Sequence, residues 1–142
     1  MDNALELEKS AREAAQARMA GGAEAAAAAA AAAREIWAGA RARKAGSPAS
    51  LLPAISRGAM NAVYLSQGDL AGAAIKLLRE LPDPAATQDP MQTMSWIMEG
   101  LAAAAVLAGD ATRSEIESRI DSELMGAGAV FRELCEKQAK RG

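Results

Sequence analysis

Nine consecutive alanines, Ala25 to Ala33, leave this chain few choices of fold. Alanine is the best helix former, so the run predicts a helix from about Ala23 to Arg43. A methyl group buries little area, and such a helix contributes little by burial, at roughly 25 cal/mol per Å². It compensates by close approach: small side chains let two backbones come near each other. Alanine supplies 38 of the 142 residues, and without it only 34 apolar residues remain. Four aromatics and few β-branched residues argue for helix and against sheet. The fold class expected is all-α: a helical-hairpin bundle of about six helices with an Ala-rich N-terminal helical arm.

The large apolar residues divide the chain. Residues 1–50 contain six, Met1, Leu5, Leu7, Met19, Ile36 and Trp37, and the other 28 follow. The turn Ala45-Gly46-Ser47-Pro48 marks the boundary. Residues 1–45 form the arm and 46–142 the hairpin bundle, expected to make one compact unit with it. A first arm helix, Asn3 to Met19, carries Ala4, Leu7, Ala11 and Ala14 at heptad-like spacing, and Gly21-Gly22 ends it. The arm is too thinly cored to fold alone. It packs either on the body or on a second copy.

The body reads as hairpins. Leu52, Ile55, Ala59, Ala62 and Val63 share a face after a cap at Ser47 or Ser50, with Pro48 or Pro53 in the first turn. Gly68 is the expected left-handed residue, and Asp69 caps a helix carrying Leu70, Ala74, Leu77, Leu78 and Leu81. Pro82, Asp83 and Pro84 stop it. Asp89-Pro90 starts a helix with the stripe Met91, Met94, Met98, Leu101 and Ala105. Gly109-Asp110 repeats the Gly-Asp turn, and Thr112 with Glu115 has the form of a capping box. Ile116, Ile120 and Leu124 then recur at i, i+4. Beyond Gly126 and Gly128 a last helix carries Val130, Phe131, Leu134 and Cys135.

Several chemistries are excluded. With no histidine there is no His-based acid–base catalysis or His-ligated metal, and one cysteine forms no intramolecular disulfide. Cys135 sits on an apolar face without a base to activate it, as a structural thiol does. Glu117 and Asp121 share a helix face and could hold an oxygen-ligated cation, but Arg113 and Arg119 stand among them and favour a solvated face. No enzyme, cofactor or metal is expected. No signal peptide or membrane span is legible, so a cytoplasmic chain is expected.

Net charge is −2, unevenly spread: residues 34–68 sum to +4 and residues 69–123 to −6. Arg41, Arg43 and Lys44, with Arg57, have no acid among them and are the candidates for an anion or nucleic-acid contact. The helix-turn-helix rhythm of 115–140 is countered by Glu117, Glu133 and Glu136, and nucleic acid is not the expected partner.

Two Gly-Asp turns 41 residues apart point to a duplicated hairpin. Residues 57–84 resemble a tetratricopeptide repeat through Met60, Tyr64, Gly68, Leu70, Ala73 and Leu77, and residues 98–109 keep Leu101, Ala102, Ala105 and Gly109. They depart from it at Arg57, Asn61, Glu80 and the displaced Pro84. The resemblance implies a scaffold that binds a protein partner in a groove. The candidate contacts are Tyr64, Trp96 and the methionines Met91, Met94 and Met98. The alternatives are a homo-oligomeric subunit of a phage or secretion assembly, joined through residues 1–45, and a nucleic-acid adaptor.

Overall fold

The computed structural model describes residues 3–82 and 89–141. They form seven α-helices and no strand: α1 (Asn3–Ala20), α2 (Ala25–Ala42), α3 (Pro48–Leu65), α4 (Leu70–Glu80), α5 (Pro90–Ala108), α6 (Asp110–Glu123) and α7 (Ala127–Arg141). The all-α expectation holds.

Local chemistry fixes most of the ends. The side chains of Glu24, Ser47, Asp69 and Asp89 accept from backbone N–H groups at the starts of α2, α3, α4 and α5 at 3.0–3.2 Å. Pro48 occupies the first turn of α3, whereas Pro53 lies inside the helix. Two local expectations are corrected. The left-handed residue before α4 is Gln67 (φ 60°), not Gly68. A side chain at Gly68 would crowd the Cβ of Ala25 at 2.7 Å, so close packing on α2 selects glycine there. Thr112 and Glu115 form no capping box. Helix α6 already begins at Asp110, and its N-cap is Gly109, with φ 102° and no side-chain cap. Helix α4 stops at Glu80; Pro84 lies outside the described residues.

The helices pack in two layers. In one, α1, α3, α5 and α7 neighbour each other in chain order; in the other, α2, α4 and α6 do the same. Each even helix packs on the odd helices before and after it. Glu8 lies against Gly58, and Ala15 clusters with Ala62, so α1 and α3 run parallel. Within the described residues, no helix contacts another more than two places away along the chain. This nearest-neighbour stacking of hairpins is the organisation of a solenoid.

The alanines find their partners inside the chain. Ala26, Ala28, Ala29, Ala30, Ala32 and Ala33 are all buried, and Trp37 closes the same helix at 8% exposure. The arm packs on α3 and α4, and Asn3 Nδ2 donates to the Ala45 carbonyl at its start. Contacts within the odd-numbered layer are set by glycines as much as by methyls. A Cβ at Gly58 would stand 2.1 Å from the Glu8 carbonyl oxygen, and one at Gly100 would stand 2.3 Å from that of Pro53. The leucines and isoleucines of α3, α4 and α5 fill the centre, including Leu51, Ile55, Leu77 and Ile97.

Ser56 is fully buried at the α3–α5 contact and its hydroxyl has no hydrogen-bond partner. An unpaired buried hydroxyl loses its water and gains nothing. Alanine is also the better helix former. Ser56→Ala is therefore expected to stabilise the protein by about 1 kcal/mol, read as a higher urea midpoint at unchanged slope. A lower midpoint would show that the hydroxyl has a partner.

Candidate protein-binding cleft

The methionine stripe of α5 does not stay in the core. Leu101 and Ala105 are fully buried and Met98 nearly so, but Met94 is half-buried and Met91 is 80% exposed. The stripe emerges because α7, which covers it further along, begins only at Ala127. The α6–α7 corner then stands opposite the uncovered turns. The result is an apolar cleft of about 640 Å³, walled by Met91, Met94 and Met98 on one side and by Leu124, Met125 and Val130 on the other. Met125 is 94% exposed. No charged side chain lines the cleft.

The corner is held by specific contacts. Gly126 takes φ 83° between the helices. The Gly128 N–H donates to Asp121 Oδ1 at 3.2 Å, so Asp121 of α6 caps α7. Glu117 accepts from Arg132 Nε and Nη2 at 3.0 and 2.7 Å, which pushes the Arg132 pKa above its ordinary value. Glu123 pairs with Arg79 of α4. The two carboxylates that the spacing of α6 offered to a cation, Glu117 and Asp121, are thus engaged with α7. Among the described residues no cluster of ligating side chains could hold a metal. Burial pushes the Cys135 thiol up to about 11, so it is protonated at neutral pH and inert as a nucleophile.

The other sequence-derived candidates fall elsewhere. Trp96 lies on α5 outside the cleft, half-buried against the core, and Tyr64 is exposed near the end of α3. The cleft therefore brings together the three methionines and neither aromatic. Arg41, Arg43 and Lys44 are exposed at the C-terminal end of α2, where positive charge complements the helix dipole. Arg41 stacks over the Trp37 ring at 5.8 Å. Arg57 sits apart from them on α3, paired with Glu8 at 3.0 Å. That pair edges a second, shallower groove of about 360 Å³ across α1, α3, α5 and α7, lined by Leu5, Pro53, Ala54 and Gln138 among others.

Sequence reasoning missed Leu124, Met125 and Val130. Their signal was present in the glycines around Met125, which leave it outside any helix face, but only the fold places it opposite Met91. No helix among the described residues is long and apolar enough to cross a membrane. No family model matches the chain, and no match to it was found among curated proteins or solved structures.

Proposed function

We propose that this chain is a non-enzymatic scaffold that binds a protein partner, with the methionine-lined cleft as the anchoring site. One observation carries the reading: an apolar stripe leaves the core and meets a second apolar wall across an uncharged cavity of about 640 Å³. Exposed apolar surface of this shape marks binding sites. Methionine suits it because its flexible, polarisable side chain adapts to a partner's relief. A helix laid along the cleft would find anchors for its apolar face. The reading also draws on the layered order of α1 to α7, which is the order a tetratricopeptide-like scaffold would have.

The test is paired affinity capture with the full chain and a Met91→Ser/Met125→Ser/Val130→Ser variant. All three side chains are exposed, so helical circular dichroism should be unchanged. The expected result is a protein retained by the native chain and lost by the variant. The same retained set with both would overturn the assignment of the cleft.

A further inference from the structure

We propose that Met91 and Met125 form a modification site, at which a peroxide oxidises the two thioethers and turns the apolar cleft polar. Where oxidation falls is independent of the cleft reading above; what it does to binding rests on that reading.

The sulfurs of this chain differ sharply in access. Met91 and Met125 are 80% and 94% exposed, whereas Met60, Met98 and Cys135 are buried and Met19 and Met94 are half-buried. Met91 stands in the first turn of α5 and Met125 in the turn between α6 and α7, and neither packs on the core. Cysteine is ordinarily the more reactive sulfur, but Cys135 is withdrawn. Burial keeps reagents from it and pushes its thiol up to about 11, which leaves little thiolate at neutral pH. A thioether needs no such ionisation. It has no proton to lose, so it reacts without a general base in a chain that has no histidine.

The peroxide is the only co-reactant. A sulfur lone pair forms a bond to one peroxide oxygen as the O–O bond breaks. With hydrogen peroxide, the second oxygen leaves with the bonding pair, takes the proton of the transferred oxygen and departs as water. Sulfur is oxidised by two electrons and the peroxide is reduced by two. A dithiol acting through a methionine sulfoxide reductase reverses the change. It supplies two electrons and two protons and becomes a disulfide, and the oxygen leaves as water.

The position of the two sulfurs gives the product its effect. They stand on opposite walls of a cleft in which Ser95 is the one polar side chain among the described residues. A sulfoxide is polar, where the thioether was apolar. An apolar occupant would strip it of water and offer no hydrogen bond in return. Because both side chains lie outside the core, oxidation alters the cleft and leaves the helices in place.

The test exposes the full-length protein to graded hydrogen peroxide and maps oxygen uptake by peptide mass spectrometry. The uncharged, polarity-sensitive dye Nile red is the fluorescent probe of the cleft. Met91 and Met125 should gain oxygen at least about tenfold faster than Met60 and Met98, with helical circular dichroism unchanged. Dye affinity should fall at least about tenfold and return after treatment with methionine sulfoxide reductases and dithiothreitol. Met91→Leu/Met125→Leu keeps the walls apolar and removes the two sulfurs. It should bind the dye like the native chain and hold that affinity after peroxide.

Uptake at Met60 or Met98 as fast as at Met91 and Met125 would overturn the site, as would an equal loss of dye from the oxidised leucine variant. Selective uptake with undiminished dye binding, where Met91→Ser/Met125→Ser/Val130→Ser still loses the dye, would overturn the switch and leave the cleft reading standing. Dye bound equally by the native chain and that serine variant would overturn the cleft reading and the switch with it.

Discussion

Gly58→Ala and Gly100→Ala are each expected to destabilise the protein by about 2–3 kcal/mol, whereas Gly39→Ala should stabilise it by up to about 1 kcal/mol. All three glycines lie inside helices, so each substitution gains the same intrinsic helix propensity. What differs is the space. At Gly58 the new methyl would stand 2.1 Å from the carbonyl oxygen of Glu8, and at Gly100 it would stand 2.3 Å from that of Pro53. Both obstacles are backbone of the facing helix and neither can rotate away. Helix α1 or α5 must move off α3, and the buried methyls around the contact lose their partners. At Gly39 the nearest atom is the Arg43 guanidinium at 3.7 Å, the mobile end of an exposed side chain. Urea unfolding of the three variants checks the ordering. A Gly58→Ala protein as stable as Gly39→Ala would mean that α1 does not seat on α3 through this contact.

Phe131→Ala should be the most damaging single truncation in the C-terminal third, costing about 3–5 kcal/mol. Phe131 is fully buried, and with Cys135 it supplies the fully inserted side chains of α7; Leu134 and Ala127 are only half-buried. Because α7, among the described helices, touches only α5 and α6, the loss should stay local. Amide exchange should accelerate throughout α7 while α1 to α4 keep their protection. The cleft should fail with it, since Val130 forms one wall and leaves with the helix. Uniform loss of protection from α1 to α7 would refute this local picture.

The fold was largely legible because small residues and punctuation carried it. Asp69 and Asp89 cap the helices that their spacing predicts, and Leu52, Ile55, Ala59 and Val63 are buried on one face as their period requires. The position of the alanine helix was not legible. Periodicity tells which face is apolar, and Ala25 to Ala33 offers methyls all round. Only the facing helices decide that Ala29 is buried and Ala27 exposed. The cleft was half legible. Met91, Met94 and Met98 are written as a stripe, but the point at which the stripe leaves the core depends on where α7 starts, which no local pattern in α5 encodes. Trp96 drew attention as an aromatic, yet the register of α5 turns it outside the cleft while Met94 lines it.

The restriction of every helix contact to near neighbours along the chain also bears on how the protein reaches this state. Low contact order removes the need to close long loops before native contacts form, and it places the chain among fast folders. The leucine-rich hairpins of the body can begin first and their neighbours can add to them. Synthesis from the ribosome should then proceed hairpin by hairpin, with α1 and α2 waiting for α3 and α4 to cover their methyl faces.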